Sequence, residues 1–423
     1  MNRAQAYPPD LARYVVEHWP KQHALGVPLA LLAEVLSIAF QASLTAEETR
    51  PTRFRLLLTP VHALPESGVP NHGVLRLHFA PERLLTAEEL RRLSPSVPFE
   101  SSLIGAHAVD GKLRIWGIAH SGPAWLAPSW GGRSLVPNWT YDPIVHVTAP
   151  GNIAVRCAGK LVGALEHGTL VNTFTDIFES HWLRSLFQDE REAVGAEHAA
   201  SQVGVAVPTQ VETSLIGRVN QQLLRRAVQL IRGARHGGMI LIVDASEAPS
   251  RERPGELRGM RLKYRFDPEE PTRRYNALLL EILRTLAAGS AKASVDWSDF
   301  AADPSPDLER LEQGVFELSR LIANLTAIDG ALVLDKRFGI LGFGAEVFAE
   351  LPPPSQIWQA LDAEGEQLVA DDIENVGTRH RAAYRFAQDN PNGLAVVVSH
   401  DGGVSFVANR SGRVVYWEQS VSP

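Results

Sequence analysis

At 423 residues the chain is too long for one ordinary domain, and two or three are expected. Hydrophobic residues make up 45% of it, enough for sizeable cores. A net charge of −7 argues against wholesale binding to nucleic acid or anionic membranes, though a local basic site remains open. A single cysteine, Cys157, excludes an intramolecular disulfide and a cysteine-based metal centre, so a reducing compartment is expected.

The N-terminus, MNRAQAYPPD, lacks the charged-then-apolar pattern of a signal peptide. The apolar run from Ala24 to Leu44 is broken by Pro28, Glu34 and Gln41, and reads as a buried amphipathic helix rather than a membrane span. The expectation is a soluble cytoplasmic protein with neither membrane nor nucleic acid among its partners.

Residues 1 to about 50 read as helical, with Leu29, Leu32, Ala33, Leu36 and Ala39/Phe40 at helical spacing. Alternation of apolar and polar residues then predicts half-buried strands from Arg53, Val74 and Lys112. A short helix is predicted over 86–93, with Thr86 as N-cap and Glu89 three residues on. Residues 121–142 are rich in Gly, Pro, Ser and Trp and read as a long irregular loop. Strands are predicted over 144–147, 153–157, 161–164 and 169–171, and a helix over 176–187. Residues 189–210 are small, polar and weakly patterned, and are read as a linker.

An amphipathic helix follows, with Leu215, Val219, Leu223, Ala227, Leu230 and Ala234 as its apolar stripe. Arg218, Arg225, Arg226, Arg232 and Arg235 lie mostly off that stripe, and Gly237-Gly238 ends the helix. Residues 239–244 read as a buried strand, 245–275 as a surface excursion, and 274–288 and 306–325 as helices. Strands are predicted over 331–335 and 340–343. An acidic segment comes next: Glu346, Glu350, Asp362, Glu364, Glu366, Asp371, Asp372 and Glu374, with no Lys or Arg among them. Gly377 to Arg381 opens a short helix reaching about Ala387, and residues 394–398 and 404–407 form a hairpin around Asp401-Gly402-Gly403.

The chain has no GxxxxGK[ST] loop, no GxGxxG after a strand, no HExxH and no GxSxG. His120-Ser121-Gly122 lacks the flanking glycine pattern of a nucleophile and reads as loop. Two stretches stand apart. Asp329-Gly330-Ala331 puts a carboxylate before a glycine and a strand. Such a carboxylate can hold a divalent metal, and glycine permits close approach to the backbone; alone, Asp-Gly also reads as a plain turn. Thr378-Arg379-His380-Arg381 offers planar guanidinium donors and a hydroxyl suited to phosphate oxygens at a helix start; alone, it also reads as a solvated turn that neutralises the acidic segment. Together the two suggest metal-assisted nucleotide chemistry.

DGA followed by GTRHR resembles the signature of the diadenylate cyclase (DAC) domain, whose members condense two ATP molecules into cyclic di-AMP. The helix running into Met239–Val243 and the piece Gly259-Met-Arg-Leu262 are similar to further parts of that family, so the resemblance spans residue 212 to the C-terminus. The front half, with Gln41-Ala-Ser-Leu, Trp116 and His120-Ser121-Gly122-Pro123, resembles the DACNV-type sensor domain that precedes some DAC domains.

The resemblance implies an α/β fold. A DAC-like domain at 212–423 would have a mixed central sheet flanked by helices, preceded by an N-terminal α+β sensor domain at 1–190 and a linker at 191–211. It implies Asp329 as the catalytic and metal-binding residue, with Mg²⁺ or Mn²⁺. Gly330 and Ala331 would approach the nucleotide closely, and Thr378, Arg379 and Arg381 would hold phosphates. His380 would be either a phosphate contact or a residue shaping the turn. ATP is the implied partner, met in a head-to-head homodimer or higher oligomer, at least transiently. Members often carry a Ser-Glu pair a few residues after RHR; here the positions hold Ala387-Gln388, with Asp389 next. The alternative reading is therefore a catalytically inactive nucleotide-binding sensor.

Overall fold

The computed structural model describes residues 5–64, 74–122, 132–133, 141–166, 168–171, 176–202, 208–244, 256–266, 271–348, 354, 356–373, 376–400 and 402–419. The chain divides into two compact units, Met1–Phe174 and Thr175–Val421.

The first unit is α+β, as expected. Its eight-stranded sheet runs, from edge to edge, through Thr169–Val171, Lys160–Glu166, Asn152–Cys157, Ile144–Ala149, Phe54–Leu58, Ser102–Val109, Lys112–His120 and Leu75–Leu84. Helices Pro8–His18 and Leu29–Ser43 bury Leu11, Val15, Leu32 and Leu36 against Phe54, Leu56, Val145 and Val155 of one face. The other face carries a smaller cluster around Leu57, Leu103 and Trp116. The strand Phe54–Leu58 is therefore buried at all five positions instead of alternating, because it is central and covered on both faces. The strand Leu75–Leu84 lies at the edge and is largely exposed. Thr86 caps the helix Ala87–Leu93, its hydroxyl accepting from Glu89 N at 3.2 Å. Most of the aromatic loop expected over 121–142 lies outside the described residues.

The boundary between units differs from the expected one. Residues Gln188–Ser201 form a helix, not a linker. Only Val194 and His198 of that helix are buried, so it shows little apolar periodicity, yet Ala and Glu are strong helix formers. The helix expected over 176–187 is a 3₁₀ turn, Ile177–Glu179, followed by the helix His181–Leu186. Ser180 and the distant Glu364 cap that helix: Glu364 accepts from His181 N at 2.7 Å and from Trp182 N at 3.2 Å.

In the second unit the strand Gly238–Val243 is central. It pairs in parallel with Ala331–Asp335 and antiparallel with Leu394–Val398. Ile340–Val347 extends the sheet on one side; Val404–Arg410, Arg413–Gln419, Ile357–Ala360 and Leu368–Asp371 extend it on the other. Alternate residues face two cores. Ile240, Ile242, Leu332, Leu334 and Val396 meet helices Thr213–Ala234, Pro271–Gly289 and Pro306–Leu325. Met239, Leu241, Val243, Val333 and Val397 meet the helix Thr378–Asp389 through Ala383, Tyr384, Phe386 and Ala387.

The arginines expected off the stripe of Thr213–Ala234 include one exception. Arg226 is 1% exposed, donates to Glu312 at 2.9 Å and lies over the Phe316 ring. That helix ends at Ala234, and Arg235, rather than a glycine, takes the left-handed C-cap position at φ 56°.

Candidate functional site

The two stretches singled out in the sequence come to the same end of one sheet. The parallel pairing runs Ile240↔Leu332 to Val243↔Asp335, so Gly237-Gly238 at the start of one strand and Asp329-Gly330 before the other emerge side by side. The antiparallel neighbour pairs Val398 with Gly238 and ends there too. The helix Thr378–Asp389 begins over this end, with Gly377 as N-cap and Arg381 N donating to Gly377 O at 3.1 Å. Arg379 reaches the strand start: its Nη2 lies 3.4 Å from His236 O, and a Cβ on Gly237 would come within 2.7 Å of Nη1. Gly237, at φ 64°, is required by its backbone conformation, and a Cβ there would also stand 3.0 Å from Val398 O and 3.2 Å from His400 N. His380 Nε2 meets Ser405 Oγ at 3.2 Å, which ties the helix start to the strand Val404–Arg410. Thr378 and Arg381 are exposed.

Asp329 is exposed at its strand end. Gly330 stands at φ 109°, where a Cβ would lie 2.6 Å from Gly344 C and 2.9 Å from Ala345 N. The close approach that this glycine permits is to the neighbouring strand Ile340–Val347. Ala331 is 1% exposed, pairs with Ala345 and belongs to the core under the helix Thr378–Asp389. Gly330 and Ala331 therefore shape the backbone that carries Asp329.

Among the described residues no group of three or more His, Cys, Asp or Glu is placed to hold a metal. Asp329 is a single exposed carboxylate. That fits the habit of Mg²⁺, which keeps its waters and binds through one or two carboxylates plus substrate phosphates. Gln388 follows Thr378 by ten residues, about 15 Å along the helix axis. It is half-buried, with Oε1 out of solvent and without a hydrogen-bond partner among the described residues, and Asp389 is buried at 2% exposure.

The acidic segment is largely taken up by structural work. Glu346 bridges Arg261 at 2.7 Å, Asp362 accepts from Glu366 N and Gln367 N, Glu364 caps a helix, and Asp371 accepts from Tyr416 OH at 2.6 Å. Glu350 and Glu374 lie outside the described residues.

Sequence reasoning missed an aromatic pair. Tyr264 and Phe343, cross-strand partners, stack with ring centroids 4.7 Å apart, and Phe266 joins Phe343 at 5.6 Å. Tyr264 is 42% exposed. A Cβ on Gly344 would lie 3.4 Å from Tyr264 Cδ2 and 3.6 Å from Asp329 O, so this exposed ring flanks the Asp329 backbone. The signal was the alternation Tyr264, Phe266 within a stretch read only as a surface excursion.

In the first unit, the residues singled out are structural. Trp116 is fully buried and donates Nε1–H to Thr59 O at 2.8 Å; its ring fills the space that a side chain on Gly105 would need. Ser43 Oγ accepts from Gly151 N at 3.0 Å, and His120 Nδ1 meets Ser102 Oγ at 2.8 Å.

A family model described as "Probable sensor domain DACNV" matches residues 24–120, inside the first unit. No curated protein matches the chain. Seven solved chains match. One is a hypothetical membrane spanning protein from Bacillus cereus, at 14% identity, covering 57% of this chain and 97% of that one with a TM-score of 0.22. Superposition that loose carries no argument here. Among the described residues no helix is long and apolar enough to cross a membrane.

Proposed function

We propose that the chain is a sensor-coupled diadenylate cyclase: the second unit condenses two ATP into cyclic di-AMP, and the sensor domain within the first unit governs it. The observation that carries this reading is the placing of Arg379 on Gly237, which sets the Thr378–Arg381 helix start beside the strand end bearing Asp329. Phosphate oxygens at that helix start would meet N–H groups, the Thr378 hydroxyl and two guanidinium groups. Tyr264 offers a ring face for a purine base.

In each half-reaction the 3′-hydroxyl oxygen of one ATP bonds to the α-phosphorus of the other. The bond from that phosphorus to the β-bridging oxygen breaks, pyrophosphate leaves, and the hydroxyl proton passes to solvent or to Asp329. A bound Mg²⁺ or Mn²⁺, held by Asp329 and the phosphates, would supply charge neutralisation at the reacting phosphorus. The chain's own part is positioning: arginines and helix N–H groups fix the triphosphate, and Asp329 lies where the hydroxyl would be drawn in. The second unit of each chain holds one ATP, so two chains must bring these units face to face in a head-to-head dimer, at least transiently.

Gln388 favours a second reading, in which the unit binds nucleotide without turning it over, because an amide cannot replace a carboxylate's charge. One experiment separates them. Purified protein is incubated with ATP and Mg²⁺ or Mn²⁺ and assayed for cyclic di-AMP by mass spectrometry, beside an Asp329→Asn control. Product lost in the control supports the cyclase. Saturable ATP binding without product at high protein concentration supports the sensor, and neither product nor binding sinks both.

A further inference from the structure

The face of the first unit's sheet that carries Trp116 also carries buried cations. Arg55 pairs across strands with His146, and His146 with Ala154. Arg156, two residues beyond Ala154, points to the same face. Arg55, His146 and Arg156 are 1%, 2% and 4% exposed. They occupy three adjacent strands, and two of them meet the buried Phe99: the Arg55 guanidinium lies 5.7 Å from its centroid, and His146 meets it edge-on at 5.5 Å. Arg156 donates Nη1–H to Gly159 O. Arg55 is different. Among the described residues, its Nε and Nη2 are out of solvent and have no hydrogen-bond partner. The carboxylate whose charge it feels, Glu100, is half-exposed and already bridges Arg53 at 3.5 Å.

Buried guanidinium donors are normally satisfied, and a buried charge is normally paired. Burial, with the repulsion of Arg156 and Arg53, pushes Arg55 down to about 9, and burial pushes Arg156 to about 10. Nε and Nη2 form one side of the guanidinium fork, the geometry that meets two oxygens of a carboxylate or phosphate at once.

We propose that Arg55, with His146 and Arg156 beside it, is the binding site of the first unit for a small oxyanion, a phosphate- or carboxylate-bearing ligand. Arg55 and Phe99 lie within the stretch that matches the sensor-domain family, so this ligand is what the unit detects. The proposal does not depend on the second unit being a cyclase.

The full chain is titrated by isothermal calorimetry with sodium phosphate, sodium malonate and, at equal ionic strength, sodium chloride. A saturable signal with phosphate or malonate but not chloride is expected, and which of the two responds identifies the acid group. Arg55→Met should abolish it, and Arg55→Lys, which keeps the charge without the fork, should weaken it at least tenfold. Arg310→Ala, which removes an exposed cation of the second unit outside its proposed nucleotide site, should leave it intact. No saturable signal in the wild-type chain, an equal signal with chloride, or an unchanged Arg55→Lys titration overturns the proposal, whether or not Arg55→Met folds.

Discussion

Gly330 has no room for a side chain, and its φ of 109° suits none. Its neighbours, Gly344 C and Ala345 N, are backbone atoms of a paired strand and cannot swing aside. Gly330→Ala should therefore cost on the order of 1–3 kcal/mol or more of second-unit stability, read from the midpoint of guanidinium unfolding. Arg379 is a different kind of residue: its long contact to His236 O contributes little, while its planar donors are set where a phosphate would lie. Arg379→Ala should lose roughly 1.5–3 kcal/mol of ATP affinity, tenfold or more in Kd, with unfolding little changed. Unchanged affinity in an equilibrium binding titration would remove Arg379 from the site. At this scale the sequence showed residue types well and reasons poorly. The Asp329-Gly330 turn and the Thr378–Arg381 cluster stood out as chemistry. That Gly330 exists for Gly344, and Ala331 for a core, depends on a strand paired from more than ten residues away.

At the scale of elements, strands with clear apolar patterning were legible, and so were the caps at Thr86 and the helix opening at Thr378. What escaped were elements whose burial is decided elsewhere. The helix Gln188–Ser201 buries almost nothing apolar, and Arg226 looks like a surface residue until Glu312 arrives from another helix. Arg235 is an element-level misfit, a non-glycine residue in the left-handed C-cap. Arg235→Gly should stabilise the second unit by about 0.5–1 kcal/mol, measurable as a higher denaturation midpoint at unchanged slope. The helix Gln188–Ser201 should also make stability depend on pH. His198 is buried beside Gln202, and burial first, then the charge of Arg284, lowers its proton affinity. The folded chain thus prefers it neutral. Stability should be full above the unfolded value of about 6.5 and decline as pH falls below it, because the unfolded chain then takes up a proton that the folded one resists. A His198→Gln variant should show a shallower decline between pH 7 and 5; an identical slope would clear His198.

For the whole molecule, composition pointed to more than one domain, and the chain has two units, each with its own apolar cores. The expected boundary was late because residues 176–201 join the second unit through capping and packing that leave no mark on local composition. Two units of this kind should unfold in separable steps, so calorimetry should record two transitions. ATP with Mg²⁺ should raise one of them and leave the other in place. A single transition, or a shift of both, would show that the units fold as one.

The helix Thr378–Asp389 does double duty. Among the described residues it is the one helix that contributes to the second core of its unit, through Ala383, Tyr384, Phe386 and Ala387. Its first turn also presents Thr378, Arg379 and Arg381. A ligand holding that turn would thereby slow the fraying of the whole cover. Amide hydrogens of the strands beneath, from Met239 to Val243 and Ala395 to Val397, would exchange more slowly with solvent although no ligand atom came near them.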